Sequence, residues 1–425
     1  MIAFKIIVYI YLIAPFVLLM TILLDKIIIK KQKKYKVKEY VDIYVLLPAL
    51  KEQKIVKETI DWFKNIKYKG NIKYVIITTE KEEHEFKKNN IKSETTNKVV
   101  NEYLKKVKDN RFLHLHYPKT EGNKSSQMNY AILQLKSKNI DLDNTYISVF
   151  DFDSRPEKNT FNELNKVVQN KNKPDMVQQI PLAIKNYSEM TNKSIIMTIY
   201  SLQHMVRSLA IEKFKFQLST LLNLNVPKYF MGACMHLKLS TLIQYDLFPI
   251  FVDDLTLGYR YSIYGKKCEY LYTPNYSLIP NDLKGYFSSS TLIFKGILTY
   301  VSEIKKAKRH YINKLKMAIA GTANIFEFCI IPYMFLSYYI YIFLTKNFTL
   351  FNIVTLLIPV LWSLSSYIEL KVIGINDDNK LRSLLAILLS FIWFCFRPIG
   401  FIKYSIKKLK NIILKKEIIY TKTER

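Results

Sequence analysis

Long uninterrupted apolar runs lie toward the two ends of the chain, and short ones between polar stretches fill its middle. Ile6 to Leu24 is a run of 19 residues without a charge, close to the ~20 that cross a bilayer as a helix. No small-residue cleavage site follows, so a retained anchor is expected rather than a signal peptide. Between residues 41 and 300 the runs shorten. Ile43–Leu47, Tyr74–Ile77, Phe112–Leu115 and Tyr146–Phe150 are β-prone and apolar throughout, the pattern of strands buried on both faces. Pro48 ends the first. The stretch after it places Ile55 and Val56, then Ile60 and Phe63, at helical spacing. Strands alternating with helices predict an α/β domain with a mainly parallel sheet covered on both faces. Residues 300–316 mix spaced apolar residues with Lys and Arg and predict a helix lying on a membrane surface. Apolar segments follow near 322–344, 351–369 and 383–402, the last broken by Pro398 and the first suspect for a re-entrant or interfacial segment.

Charge orients these segments. The chain of 425 residues carries 64 Lys and Arg against 35 Asp and Glu, a formal net charge of +29. Lys26, Lys30, Lys31, Lys33, Lys34, Lys36 and Lys38 cluster just after the first apolar run. The positive-inside rule puts that end, and the domain after it, in the cytoplasm. Lys403, Lys407, Lys408, Lys410, Lys415 and Lys416 give the same sense to the C-terminal tail. No arginine-rich or glycine-rich nucleic-acid motif accompanies the charge, so the expected partner is an anionic membrane surface rather than a nucleic acid. The four cysteines are far apart and indicate neither a disulfide framework nor a zinc site.

The candidate chemistry gathers after the fourth predicted strand, at Asp151-Phe152-Asp153. On an extended backbone residues i and i+2 share a face. Two carboxylates so placed repel unless a cation joins them, and hard oxygen ligands suit Mg²⁺ or Mn²⁺ with a substrate diphosphate. Ligands on such sheets bind at the carboxyl ends of strands, where Glu52 and Glu80 also fall. In Gly122-Asn123-Lys124, the lysine supplies a cation for phosphate. Val252-Asp253-Asp254-Leu255 sets two acids among apolar neighbours, including Phe251 and Leu257. Such an environment raises a carboxyl pKa toward the range of a general base. The plainer role for Asp254 is a helix N-cap.

Taken in order, YVLLPALKE, EGNKSSQMNYA, FDFDSRP, FMGACMHLKLSTL and FVDDLTLGYRYSIYGKK resemble the motifs of membrane-bound family 2 glycosyltransferases. Cellulose, chitin and hyaluronan synthases belong to the same broad group. The resemblance spans roughly residues 40–300 and implies the GT-A nucleotide-diphospho-sugar transferase fold, a mainly parallel α/β sheet, here joined to transmembrane helices. It implies that Pro48, Ala49 and Glu52 line the nucleotide loop, with Lys51 where relatives carry Asn. Glu80 stands where many relatives have Asp at the second strand end. Lys124 and Asp151 meet the diphosphate, and Asp151 and Asp153 hold Mg²⁺ or Mn²⁺. Asn129 matches an Asn of the following helix. Tyr229, Phe230 and Gly232 match an acceptor-side loop, where the aromatics are candidates for a sugar-stacking shelf. Gln178 and Gln179 are a polar pair on a strand. Asp253 and Asp254 are the candidate catalytic acids, with Asp254 the base of an inverting displacement.

The expected organisation is an N-terminal anchor over 1–25, a cytoplasmic GT-A domain over 40–300, an interfacial helix over 300–320, transmembrane segments over 321–402 and a basic tail over 403–425. The expected activity is metal-dependent transfer of a sugar from a nucleotide-diphosphate donor, UDP-linked foremost, to a lipid-linked or glycan hydroxyl at the cell membrane. Processive synthases carry Gln-x-x-Arg-Trp before their C-terminal membrane helices. Here the matching stretch is Ser289, Ser290, Thr291, Leu292 and Ile293, which points away from processive synthesis. The alternatives are a processive synthase with a divergent channel and a membrane scaffold with a degenerate transferase domain. Retention of Asp151, Asp153 and Asp254 together favours the enzyme.

Overall fold

The computed structural model describes residues 2–171, 173–206, 211–250 and 252–413; Phe251, Lys415 and Lys416 lie outside them. Among the described residues, eight strands form one sheet: β1 Asp42–Pro48, β2 Ile72–Thr79, β3 Phe112–Tyr117, β4 Thr145–Phe150, β5 Arg155–Pro156, β6 Met176–Ala183, β7 Cys234–Lys238 and β8 Cys268–Ser277. Their order is β3-β2-β1-β4-β7-β6-β8-β5. β3, β2, β1 and β4 run parallel, as the alternation with helices requires. β7 pairs antiparallel with both β4 and β6, while β6 and β8 are parallel.

Side-chain alternation along β1 shows why the central strands read as continuous apolar runs. Ile43, Val45 and Leu47 enter one core with Ile60, Phe63, Val100 and Phe161 from the covering helices, whereas Leu46 enters the other with Val75, Met128 and Ile132. Burying each such side chain contributes about 1.5–3 kcal/mol. All six residues of β4 are buried, so the segment that delivers Asp151 is fixed from both faces.

Between β6 and β7 three helices, Tyr187–Lys193, Ile195–Val206 and Lys213–Leu222, leave the sheet and pack against the terminal helices. Lys213 is buried there, 2.5 Å from Asp25 on the N-terminal helix and 2.7 Å from Glu369 on the helix Leu350–Ile373. Gln217 and the Tyr270 hydroxyl donate to the same Asp25 carboxylate at 2.7 and 2.9 Å.

Among the described residues, three stretches are long and apolar enough to cross a membrane: Phe4–Gln32, Tyr311–Thr345 and Leu350–Ile373. The last predicted segment, 383–402, is instead broken into Lys380–Leu388, a 3₁₀ turn at Ser390–Ile392, Trp393–Phe396 and the start of Ile399–Ile413. The interruption precedes Pro398, which lacks the N–H a continuing helix needs. The single surface helix expected over 300–316 is also divided. Tyr300–Lys306 ends, residues 307–310 turn with His310 at φ +69°, and Tyr311–Cys329 begins. Glu327, an acid within the apolar stretch Tyr311–Thr345, pairs with Arg397 across the bundle.

Candidate active site

The loop after β1 is held by a carboxylate that the motif reading overlooked. Glu82 is buried and accepts from the Lys51 backbone N–H at 2.8 Å, the Thr96 N–H at 2.7 Å and the Thr96 hydroxyl at 2.9 Å. Lys51 stands at φ +57°, and the Glu52 N–H donates to Thr96 Oγ1 at 2.8 Å. Pro48, Ala49 and Glu52 thus lie on a loop of fixed shape. Glu82 sits in a run, TTEKEEHE, that looks solvated in sequence.

At the adjacent strand end, Glu80 Oε2 lies 2.9 Å from His116 Nε2. Thr78 Oγ1 lies 2.8 Å from His114 Nε2 and 2.9 Å from His116 Nδ1. Burial, with His116 adding, brings His114 down to about 4. Glu80 also lines a cavity of about 610 Å³ together with Glu83, Lys92, Thr95, Asn97 and Lys98.

The two aspartates after β4 do not lie on an extended backbone. The strand ends at Phe150, and the Ser154 N–H donates to the Asp151 carbonyl at 2.9 Å, closing a turn. Asp151 faces Lys124 Nζ at 2.7 Å, while the nearly buried Asp153 accepts the Leu278 N–H on Oδ2 at 3.0 Å. The i, i+2 argument fails because a turn rotates side chains out of the strand alternation. Lys124 starts the helix Lys124–Lys136, which Asn123 caps in a capping box with Ser126. Its ammonium also donates to the Gly232 carbonyl at 3.2 Å. Burial opposes the Lys124 charge, but the Asp151, Asp253 and Asp254 carboxylates outweigh it and raise its pKa. Asn129 holds both the N–H and the carbonyl of Phe248, at 3.0 and 2.9 Å, which ties this helix to the loop before Asp253.

Asp253 and Asp254 open the helix Asp253–Ile263, with Val252 at the N-cap in the left-handed region at φ +49°. Asp254 is therefore not the cap. Its Oδ2 accepts the Gly232 N–H at 3.0 Å, and its Oδ1 the Leu255 N–H at 2.8 Å. Burial, then the Asp253 carboxylate, push Asp254 up to about 7 against the pull of Lys124. Burial raises Asp253 as well, and its Oδ2 is buried with no hydrogen-bond partner among the described residues. Gly232 is required where it stands, since a Cβ there would lie 2.8 Å from Asp254 Oδ2.

Phe230 does not form the expected shelf. It is fully buried, edge-on to Tyr261 at 5.3 Å between centroids, and belongs to the core. Gln178 is structural: its Nε2 donates to the carbonyls of Met231 and Cys234 at 3.2 and 3.0 Å, and its Oε1 accepts the Met231 N–H at 3.0 Å. Gln179 is buried and donates to the Pro274 carbonyl at 3.0 Å.

The helix Leu283–Leu298 carries Ser289–Ile293 and presses on the start of the Asp253–Ile263 helix, since a Cβ on Gly296 would meet Val252 Cγ1 at 2.6 Å. Its other side is covered by the helix Ile399–Ile413. A Cβ on Gly400 would meet Ser290 Cβ at 2.6 Å, and Phe294 packs edge-on against Phe401 and Tyr404.

A divalent ion fits this donor set in part. Asp151 and Asp153 offer hard carboxylate oxygens, and an ion of this kind completes its shell with water and phosphate oxygens. Among the described residues no three His, Cys, Asp or Glu side chains form a ready-made cage.

No family model matches the sequence, and no curated protein matches it. Solved structures do. The mannosyltransferase PcManGT from Pyrobaculum calidifontis, in complex with GDP-Man and Mn²⁺, aligns at TM-score 0.51 and 13% identity, over 95% of this chain and 98% of that one. S. aureus TarS 1-349, in complex with UDP-GlcNAc, aligns at TM-score 0.40 and 11% identity, over 90% of this chain and 98% of that one. The chain has a glycosyltransferase fold, and the likeness to PcManGT extends across the apolar helices as well as the sheet.

Proposed function

We propose that this chain is an integral membrane glycosyltransferase of the family 2 type, with a cytoplasmic GT-A domain. It moves a sugar from a nucleotide-diphosphate donor to a hydroxyl of a lipid-linked or envelope-glycan acceptor. The observation that carries this reading is the shared seat of two opposed groups. Asp254, a half-buried carboxyl with a raised pKa, rests on Gly232, and the Gly232 carbonyl receives the Lys124 ammonium that pairs with Asp151. A base and a phosphate-binding cation thus flank one point, as a displacement between an acceptor hydroxyl and a leaving diphosphate requires.

In this reading the loop Pro48–Glu52, held by Glu82, and Glu80 receive the nucleotide. Lys124 binds the diphosphate. Asp151 and Asp153 would hold Mg²⁺ or Mn²⁺, which neutralises charge on the leaving group when bound. Asp254 takes the acceptor proton as the oxygen attacks, on the face opposite the leaving group. Phe230 acts from the core, positioning the backbone of the acceptor loop.

Transfer of one or a few sugars is favoured over processive synthesis. The helix with Ser289–Ile293 offers no Gln, Arg or Trp to hold a polymer, and Ser290 is spent on close contact with Gly400. The test is donor hydrolysis by detergent-purified protein against a panel of UDP- and GDP-sugars. Release of nucleoside diphosphate from one donor is expected; turnover of none, with the fold intact, would refute the reading.

A further inference from the structure

The residues at the ends of β2 and β3 form one continuous hydrogen-bonded chain, and its proton positions can be counted. The Glu83 carboxylate fixes one end. As an acceptor it takes the Thr95 hydroxyl at 2.7 Å and the Asn97 amide at 3.1 Å. Asn97 therefore turns its oxygen toward Asn101 Nδ2, 3.2 Å away. Asn101 in turn presents its oxygen to His114 Nδ1 at 2.8 Å, so His114 carries its proton on Nδ1.

His114 is held neutral by burial, which leaves its Nε2 bare. Thr78 has one proton to give and places it on that nitrogen, 2.8 Å away. Its other option, Asn97 Oδ1, is farther, at 3.4 Å. The Thr78 oxygen then accepts from His116 Nδ1 at 2.9 Å. The remaining nitrogen of His116 faces Glu80 Oε2 at 2.9 Å. Both nitrogens of His116 thus face acceptors, and a neutral imidazole has a single N–H.

We infer that His116 is held as an imidazolium against Glu80, and that this charged pair positions the Glu80 carboxylate for the nucleobase of the donor. The inference rests on the proposed reading that the nucleotide binds at the carboxyl ends of β1 and β2. The clamped carboxylate keeps Oε1 as an acceptor aimed by the pair. That suits a base with a lactam N–H, as in uracil or guanine. His116 is a positioning residue that acts through Glu80.

The charged and titratable groups around His116 are few. Glu80 pairs with it directly, and His114 lies two residues away on the same face of β3. Glu83 reaches it through the relay, and Lys92 and Lys98 line the cavity beside Glu80. The opposite face of β3 presents Leu113 and Leu115 to the core around Met128 and Ile132, and Tyr117 beside Tyr130. When pH rises and the pair of histidines loses its third N–H proton, one contact of the relay is left lone pair to lone pair, and the hold on Glu80 loses its positive charge. Nucleotide affinity is therefore greatest on the acid side and falls toward the basic side.

The test uses the full chain in detergent. Long-range ¹H–¹⁵N correlation of histidine-labelled protein at neutral pH should show His116 protonated on both nitrogens and His114 on Nδ1 alone. Two singly protonated rings would overturn the relay whatever the donor site does. Calorimetric titration with UDP and with GDP follows, from about pH 5.5 to about pH 8.5, where imidazoles titrate. Since the diphosphate also titrates, the difference between variants is the readout. Wild type should lose about tenfold more affinity across this range than Thr78→Val or His116→Gln, the usual worth of a charge-assisted hydrogen bond. Equal slopes would refute the positioning role. Glu80→Gln separates the two ideas: unchanged affinity for both nucleotides in that variant removes Glu80 from the donor site, while the ring protonation states still decide the relay. Preference for UDP or for GDP identifies the base.

Discussion

Gly232 and Asp254 are locked together: the Gly232 N–H donates to Asp254 Oδ2 at 3.0 Å, and any Cβ on Gly232 would stand 2.8 Å from the same oxygen. The contact fixes the carboxylate against the loop whose carbonyl meets Lys124. Gly232→Ala must push Asp254 out of this seat. Transfer should fall by ~10²-fold, the typical cost of displacing a reacting group by about 1 Å. Steady-state assay of the folded variant checks it, and activity within twofold of wild type would show that the seat is not needed.

Asp254→Asn keeps the shape of the side chain and removes its basicity. Turnover should drop by ~10²–10⁴, the usual contribution of a general base, with nucleotide affinity nearly unchanged. Burial raises the Asp254 pKa, and a base works only when deprotonated. Wild-type turnover should therefore rise with pH through this titration, and the rise should vanish in the variant. A flat wild-type profile would remove Asp254 from the proton transfer.

Asp151 would help to hold the metal, which would neutralise charge on the diphosphate when bound. Asp151→Ala should abolish the difference in UDP affinity measured with Mg²⁺ or Mn²⁺ and with EDTA. Asp153→Ala should weaken that difference and also loosen the 278 backbone, whose N–H it holds. Identical wild-type affinity with and without EDTA would disprove the metal role.

With three crossings, Phe4–Gln32, Tyr311–Thr345 and Leu350–Ile373, the domain and the C-terminal helix share one side. Single cysteines near Lys36, Lys305 and Lys408 should all be shielded from a membrane-impermeant thiol reagent in intact cells. Labelling near Lys408 alone would make the broken 383–402 segment a fourth crossing.

Product length follows from the cover that Ile399–Ile413 places over Leu283–Leu298. Reconstituted protein with excess donor should yield discrete short products extractable into organic solvent. A high-molecular-weight polymer formed from the start, with few intermediates, would show that a glycan path exists despite that cover.

The parallel half of the sheet was readable because the central residues of β1, β2 and β4 are buried on both faces and mostly apolar. Ordered motifs located Asp151, Lys124 and Asp254 because each falls at a strand end or helix start. Glu82 was not readable, since its burial comes from Thr96 and the Lys51 backbone folding over it, and nothing local marks that. The strand-alternation argument for Asp151 and Asp153 did not hold, because the turn at Asp151–Ser154 ends the extended backbone. Phe230 was misread because an aromatic beside a glycine looks the same in a core as at a surface. The helices between β6 and β7 escaped notice because their apolar faces answer to partners distant in sequence, β8 and the terminal helices.

Lys213 sets an order of events during synthesis. Its ammonium is buried between Asp25, made long before it, and Glu369, made 156 residues after it. In soluble proteins, leaving such a charge short of a partner costs ~3–5 kcal/mol. The middle of the chain therefore cannot settle onto the N-terminal helix at full strength until Leu350–Ile373 has left the ribosome. The loops that carry Lys124, Asp151 and Asp254 hang from that junction through Tyr270 and the sheet, so a chain cut short before Glu369 would carry every residue of the candidate site and still lack the last piece of its foundation.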